Sequence, residues 1–276
     1  MAPIDTPTLA LNDGTTIPQL GLGVYKVPDD EAETVVATAL EAGYRHLDTA
    51  SFYGNEGGVG RAMRASGVPR DDVFLTTKVW NTDHGYDETL RAFDRSLETL
   101  GTDHVELYLI HWPAPTQDRY VETYRALERI REEGRARSIG VSNFQVHHLE
   151  RLLGETDVVP VVDQVEVHPW LQQHEVREFA AAHGIVTQAW SPLARGRILD
   201  DPTLLRLAER HGVSTAQVVI RWHLQQGLVV IPKSVTPARI RSNIDVFGFE
   251  LDDDDLAAVA ALDSGQRTGS HPDTNG

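Results

Sequence analysis

The feature that most constrains the fold is an alternation that repeats along nearly the whole chain. Short apolar runs alternate with longer segments that have a helical period. The runs predict eight strands, at Leu20–Val24, Arg45–Asp48, Val73–Lys78, Val105–His111, Ser138–Val141, Val161–Val165, Ile185–Trp190 and Leu228–Ile231. The periodic segments predict eight helices, at Glu31–Ala42, Gly57–Ser66, Tyr86–Leu100, Tyr120–Glu133, Val146–Leu153, Glu175–Ala182, Thr203–His211 and Thr215–Gln226. Strands that alternate with helices in this way predict an α/β fold, a (β/α)8 TIM barrel.

Two further segments refine this prediction. "TLALNDGTTIP" has strand-forming residues around Asn12-Asp13-Gly14, which predicts an N-terminal β-hairpin. The alternative is an open doubly wound sheet, but "GLGVYK" after the first strand lacks the G-x-G-x-x-G fingerprint of that fold. No linker or repeat interrupts the 276 residues, so we expect a single domain over residues 1–276. The tail "RTGSHPDTNG" is expected to be extended or disordered.

Charge and composition limit the partners that the chain can have. A net charge of −16 argues against nucleic acid and against anionic membranes, so an anionic small ligand would need a local positive patch. The absence of cysteine excludes disulfides and thiolate chemistry. No apolar run is long enough to span a bilayer, and "MAPIDTPTLA" does not resemble a signal peptide, so the expected location is the cytoplasm.

Two sequence patterns that could suggest a metal ion have simpler explanations. "HHLE" at His147–Glu150 lies in a helical pattern, where adjacent side chains point apart, so a solvated face is expected. "DDDD" at Asp252–Asp255 precedes "LAAVAAL" and is typical of an acidic first helical turn. No zinc spacing such as H-E-x-x-H is present. We therefore expect no metal site.

Polar side chains close nearly every predicted strand. In a barrel, the carboxyl ends of the strands meet at one face, where the chemistry of such folds is found. Each residue alone also fits an ordinary structural role, such as capping the next helix. The strand-end residues are Asp48, Tyr53, Lys78, His111, Ser142, Asn143, Gln164, Trp190, Ser191, Lys233, Ser234 and Arg239. Their convergence on one face favours an active site.

Lys78 is conspicuous because the chain has three lysines against 22 arginines. A tyrosine can act as an acid near neutral pH if its pKa is lowered, and a nearby ammonium favours the phenolate. We expect Lys78 to contact Tyr53 and Asp48, with the carboxylate holding the compact ammonium in place. His111 would then orient a substrate carbonyl as a neutral donor.

Seven motifs in order resemble the aldo-keto reductase superfamily, most closely the bacterial 2,5-diketo-D-gluconate reductases. They are "LDTASFYGNE", "LTTKVWN", "LIHWP", "GVSNF", "QVEVHPW", "WSPLARG" and "IPKSVTPARI". The resemblance implies an NADPH-dependent carbonyl reductase whose N-terminal hairpin closes the bottom of the barrel. It implies that hydride passes from the nicotinamide C4 to an aldehyde or ketone while Tyr53 donates a proton, assisted by Lys78, Asp48 and His111.

The resemblance also implies the residues that bind ligands. The nicotinamide carboxamide would be bound by Ser142, Asn143 and Gln164, and its ring would stack on Trp190. The remaining cofactor contacts would come from Ser191, Leu193, Arg195, Gly196, Lys233, Ser234, Val235, Arg239 and Asn243. The substrate pocket would be lined by Tyr25, Trp80, His111 and Trp112.

Two positions depart from the pattern of the family. "RIRSN" has Ser242 where an acidic residue is usual, which puts one adenine contact in doubt. Gly57 replaces a common glutamate, which is expected to affect helix stability rather than chemistry.

Other functions remain open from the sequence. A Schiff-base aldolase could use Lys78 or Lys233. A barrel that binds the cofactor without catalysis would not need the tyrosine. The substrate could be a keto-sugar acid, methylglyoxal or an aromatic aldehyde, and a monomer is expected by analogy with the family.

Overall fold

The computed structural model describes residues 6–275, which contain ten strands and ten α-helices: a hairpin of two strands comes first, and eight strands interspersed with the helices follow. The strands are β1 (Thr8–Ala10), β2 (Thr16–Pro18), β3 (Leu22–Gly23), β4 (His46–Asp48), β5 (Phe74–Val79), β6 (Val105–Ile110), β7 (Ala136–Ser142), β8 (Val162–Glu166), β9 (Val186–Trp190) and β10 (Val229–Val230). The helices are α1 (Asp29–Ala42), α2 (Glu56–Ala65), α3 (Tyr86–Leu100), α4 (Tyr120–Glu132), α5 (Val146–Glu155), α6 (His174–Ala182), α7 (Pro202–His211), α8 (Thr215–Gln225), α9 (Pro237–Ile244) and α10 (Asp253–Ala260).

Strands β3 to β10 form one parallel sheet in which each strand pairs with the next in sequence. A parallel bridge between Leu20 and Val230 links the residues before β3 to β10. The Gly21 N–H donates to the Val230 carbonyl at 2.9 Å, so the sheet curls back onto its first strand. The predicted (β/α)8 barrel is confirmed. Its strands are buried on both faces, because side chains fill the interior and helices cover the outside.

The hairpin of β1 and β2 covers the amino-terminal end of the barrel, as predicted. Ile17 is fully buried and packs in a cluster with Phe74, Leu107 and Val229, which belong to three barrel strands. The Asn12 side-chain amide donates to the carbonyls of Pro160 and Gly184, in the loops before β8 and β9, at 2.9 and 3.2 Å. The bottom of the barrel is therefore closed, and the opposite end remains free for ligands.

The predicted elements correspond closely to the observed ones. The helix at Tyr86–Leu100 has the predicted bounds, and the others differ by a few residues at their ends. Helix α9 was not predicted, because eight residues give too few turns for a periodic signal. Helix α10 begins with an acidic first turn, as "DDDD" suggested, and Asp252 caps it by accepting from the Asp255 N–H at 2.9 Å.

The C-terminal tail is held in place by the barrel, so the expectation that it is extended or disordered is wrong. Thr268 and Gly269 donate their backbone N–H groups to the Glu166 carboxylate. Pro272–Thr274 forms one turn of 3₁₀ helix, in which Pro272 is buried. The tail has no periodic pattern that would predict this order, because the contacts that hold it are long-range.

Within residues 6–275, the helices are either too short or too polar to cross a bilayer.

Candidate active site

A buried ion pair lies at the carboxyl ends of β4 and β5. Lys78 Nζ lies 2.6 Å from Asp48 Oδ1 and donates to the Thr49 carbonyl at 2.8 Å. The side chains are 0% and 2% exposed. Gln164, on β8 across the barrel, donates to Asp48 Oδ2 at 2.7 Å. Charges removed from water need such partners, so this network fixes the ammonium in one position.

Tyr53 lies above this ion pair, in the 3₁₀ turn Ser51–Tyr53 that follows β4. Lys78 Nζ lies 5.2 Å from the centroid of the Tyr53 ring, and the rings of Tyr25 and His111 lie 5.0 and 5.4 Å from it. The predicted grouping of Asp48, Tyr53, Lys78 and His111 is therefore present.

The expected lowering of the Tyr53 pKa by Lys78 is wrong. Burial raises the pKa of the Tyr53 phenol well above its usual value, and the Asp48 carboxylate adds to this increase. The physical reason is that Asp48 neutralises Lys78 at 2.6 Å, so Tyr53 meets an ion pair rather than an isolated cation. The phenol is protonated at neutral pH and can donate a proton.

His111 is buried at the end of β6 and is neutral. Burial lowers its pKa well below the usual value, and the positive charge of Lys78 lowers it further. Its Nδ1 is buried and has no hydrogen-bond partner within residues 6–275, whereas its ring also borders the cavity described below. A neutral imidazole carries one N–H, so His111 can donate one hydrogen bond to a bound oxygen.

A cavity of about 960 Å³ opens at this end of the barrel. Its size is at the upper end of the range for ligand sites. Every residue predicted to bind the cofactor or the substrate borders it: Tyr25, Trp80, His111, Trp112, Ser142, Asn143, Gln164, Trp190, Ser191, Leu193, Arg195, Gly196, Lys233, Ser234, Val235, Arg239 and Asn243. Asp48 and Tyr53 border it too, while Lys78 lies behind them.

One side of the cavity presents a network of amide groups and an indole. The Ser142 hydroxyl donates to the Gln164 carbonyl at 2.7 Å, and the Trp190 indole N–H donates to Asn143 Oδ1 at 2.8 Å. Asn143 and Ser191 adopt left-handed backbone conformations, with φ of 65° and 47°. These sharp turns after β7 and β9 aim backbone and side-chain groups into the cavity.

The other end of the cavity is basic. Arg195, Lys233 and Arg239 border it, and within residues 6–275 none of the three forms an ion pair with a carboxylate. In a chain with a net charge of −16, these three cations on one part of a cavity fit an anionic ligand. Ser242, which departs from the pattern of the family, also borders the cavity. Its hydroxyl donates to the Arg239 carbonyl at 3.2 Å.

Comparison with known families decides what kind of protein carries this site. The model of the "Aldo/keto reductase family" matches residues 18–264. The chain belongs to the aldo-keto reductase family. Members of this family are oxidoreductases, so this aldo-keto reductase is an enzyme of that class.

Similar proteins match this aldo-keto reductase over nearly their full length. An aldo-keto reductase of Mycolicibacterium smegmatis is 54% identical over 269 residues, which cover 98% of each chain. The methylglyoxal reductase of Escherichia coli K12 is 48% identical over 270 residues, covering 97% of this chain and 98% of that protein. A crystal structure of a Gox0644 mutant in complex with NADPH has a TM-score of 0.95 and 49% identity, covering 99% of this chain and 100% of that one.

Several residues that border the cavity were not predicted. Phe52 stacks on Trp80, with ring centroids 3.7 Å apart, and is 50% exposed at the mouth. The others are Gly23, Lys26, Leu199, Ser214, Thr215, Ala216, Ile231, Thr236, Ser270 and Asn275. Ser214 to Ala216 lie at the start of α8, where backbone N–H groups favour anions. Ser214 is the N-cap of α8, and Ser270 and Asn275 lie in the C-terminal tail, whose sequence has no periodic pattern.

The structure also brings two histidines together with an acid, which the sequence did not predict. The rings of His147 and His148 are 4.0 Å apart, and both Nε2 atoms lie near Asp273, at 3.3 and 3.7 Å. His148 Nδ1 accepts the Gln145 N–H at 3.1 Å, so in the neutral ring Nε2 carries the hydrogen. Burial lowers the pKa of His148 to about 4 and keeps it in that form. This tautomer offers no lone pair to a metal ion at Nε2.

Proposed function

We propose that this aldo-keto reductase reduces a small aldehyde or ketone with NADPH, and that Tyr53 donates the proton. The observation that carries the proposal is the position of the Tyr53 ring beside the Lys78–Asp48 ion pair and His111, in a cavity where Arg195, Lys233 and Arg239 form no ion pair within residues 6–275.

NADPH, when bound, supplies the hydride that the carbonyl carbon receives. The chain supplies the proton and the hydrogen bonds. As the carbonyl oxygen gains negative charge, the Tyr53 phenol transfers its proton to that oxygen, and the product is an alcohol. The His111 N–H donates to the same oxygen and orients it. Tyr53 then regains a proton from solvent, and Lys78 stabilises the phenolate while it lasts.

The cavity supports NADPH as the cofactor in two ways. Ser142, Asn143 and Gln164 present amide and hydroxyl groups beside the Trp190 indole, which suits a flat ring that bears a carboxamide. Lys233 and Arg239, both exposed at the basic end, suit the 2′-phosphate that distinguishes NADPH from NADH.

The substrate class is supported by the mouth of the cavity and by one relative. Tyr25, Phe52, Trp80 and Trp112 form an aromatic wall beside His111. A similar protein is a methylglyoxal reductase, and we propose small dicarbonyls such as methylglyoxal for this enzyme. Keto-sugar acids, as reduced by 2,5-diketo-D-gluconate reductases, form a second class of candidate substrates to be compared with the dicarbonyls. A Schiff base on Lys78 is disfavoured, because its ammonium is fully buried behind Asp48 and Tyr53.

The proposal is tested by the loss of NADPH absorbance with methylglyoxal, for the wild-type protein and for Tyr53→Phe. We expect wild-type turnover, and in Tyr53→Phe a decrease in kcat of at least about 100-fold, because the proton donor is removed. Binding of NADPH, followed by its fluorescence, is expected to remain.

Tyr86→Phe makes the same change outside the cavity and serves as the control. Unchanged turnover in Tyr53→Phe would show that another group is the acid. A borohydride-trapped adduct on Lys78 would instead establish the aldolase. Wild-type protein that binds NADPH but reduces no carbonyl would establish the non-catalytic alternative.

A further inference from the structure

Glu166, at the end of β8, is a buried carboxylate to which neither the proposed proton transfer nor cofactor binding gives a role. It is fully buried, and residues of the C-terminal tail contribute to its cover. It accepts the N–H of Thr268 at 2.7 Å, the N–H of Gly269 at 3.1 Å and the Nε2–H of His168 at 3.1 Å. Burial alone would raise the pKa of Glu166, but these hydrogen bonds outweigh it and hold the pKa at about 2.

The tail that Glu166 holds is in contact with Trp190. A Cβ added to Gly269 would lie 2.4 Å from Trp190 Cη2, so the Gly269 backbone lies directly against the indole. Glu166 and Trp190 are paired in the register of β8 and β9. The opposite edge of the indole is held by Asn143, which accepts its N–H. Trp190 is therefore fixed at two edges, one by the barrel and one by the tail.

The same segment continues along the cavity and is held again further on. Ser270 and Asn275 border the cavity. Pro272 is buried, and Asp273 lies 3.3 Å from His147 Nε2 on α5. We name residues 267–275 the C-terminal strap. It spans from β8 to α5 beside the ligand cavity.

We propose that Glu166 is a positioning residue: it anchors the C-terminal strap so that Gly269 holds the Trp190 indole in the plane on which the nicotinamide ring stacks. This inference rests on the proposed function for the identity of the ring. Replacing Glu166 with Gln keeps the size but removes the charge, and it turns an NH₂ group toward N–H donors that need an acceptor. The strap then loosens while the barrel strands keep their pairing.

The test compares the wild-type protein, Glu166→Gln and Gly269→Ala, with Glu175→Gln on the exposed face of α6 as the matched control. Three quantities are measured: amide hydrogen exchange in residues 267–275 and in β5, the dissociation constant for NADPH, and kcat and KM for the carbonyl. For Glu166→Gln we expect faster exchange in the strap alone, NADPH binding about tenfold weaker and kcat roughly tenfold lower, with little change in the carbonyl KM. Gly269→Ala leaves the carboxylate intact and is expected to change NADPH binding and kcat in the same direction.

Faster strap exchange with unchanged kcat and NADPH affinity would overturn the positioning role, and so would unchanged strap exchange. If Glu166→Gln loosens the whole barrel, Gly269→Ala provides the test instead. Unchanged NADPH affinity and unchanged kcat in Gly269→Ala would then overturn the proposal. Strap exchange and NADPH binding do not require turnover. A wild-type protein that reduces no carbonyl would therefore contradict the proposed function while these two measurements still decide the role of Glu166.

Discussion

At the scale of single residues, the buried ammonium of Lys78 is held by an ion pair. The ammonium lies 2.6 Å from Asp48 and also donates to the Thr49 carbonyl, so two acceptors within the protein hold it in place. A guanidinium in that position would need a wider space and more acceptors. The paired ammonium lies 5.2 Å from the centroid of the Tyr53 ring, and its charge becomes important when the phenol loses its proton.

The prediction at the scale of residues concerns Arg239. Its guanidinium is exposed at the basic end of the cavity and makes no ion pair within residues 6–275. Arg239→Ala is expected to weaken NADPH binding by roughly 10- to 100-fold, because a charged hydrogen bond to phosphate is lost. NADH, which lacks that phosphate, should bind almost as before. Dissociation constants for both nucleotides measure the effect, with Arg241→Ala on the exposed side of α9 as the control.

An equal loss of affinity for the two nucleotides would contradict the assignment of a phosphate site to Arg239.

The sequence predicted where residues lie better than it predicted their protonation. Polar residues that close apolar strands must meet at one end of a barrel, so the positions of His111, Asn143 and Gln164 follow from the strand order. The Tyr53 pKa depends on the distance from Asp48 to Lys78 and on burial, neither of which a linear pattern contains.

At the scale of elements, the packing of α2 against α3 depends on Gly60. A Cβ on Gly60 would lie only 1.9 Å from the Leu100 carbonyl oxygen, which belongs to backbone and cannot rotate away. Gly60→Ala is expected to lower the free energy of unfolding by about 1–3 kcal/mol, because the two helices must move apart. Gly154→Ala in α5 meets no atom within 4 Å and should instead raise it by up to about 1 kcal/mol.

Urea denaturation of both variants measures these changes. A stabilised Gly60→Ala would show that α2 and α3 are not packed as closely as described.

Element boundaries could be predicted where a signal is local. The period of Tyr86–Leu100 and the Asp201-Pro202 start of α7 both lie within a few residues of chain. The C-terminal strap could not be predicted in this way, because Thr268 and Gly269 are ordered by a carboxylate about 100 positions earlier in the chain.

At the scale of the whole molecule, the strap contributes to the pH dependence of stability. Glu166 has a pKa of about 2 in the folded protein against a usual value of 4.5. A carboxyl group whose pKa is lowered by folding stabilises the native state above its unfolded pKa, and that stabilisation is lost as pH falls through the folded pKa. The difference in free energy of unfolding between wild type and Glu166→Gln should therefore be full above about pH 4.5 and decrease toward pH 2.

Urea denaturation at several pH values gives this difference directly. A difference that remains constant over the range would show that folding does not lower the pKa of Glu166.

The closed barrel followed from the repeated strand and helix pattern, and the hairpin followed from Asn12-Asp13-Gly14. That the chain is a monomer and that it lies in the cytoplasm both remain predictions. Gel filtration with light scattering tests the first of these.

The hairpin and the C-terminal strap lie at opposite ends of the barrel, and this has a practical consequence for attaching the enzyme to a support. A tether joined ahead of the hairpin leaves from the plugged end, where Ile17 and Phe74 seal the interior, so reagents can still diffuse freely to the mouth. A tether joined behind the strap pulls on the segment that touches Trp190. Immobilisation or fusion through the first end is the arrangement that leaves the working face unobstructed.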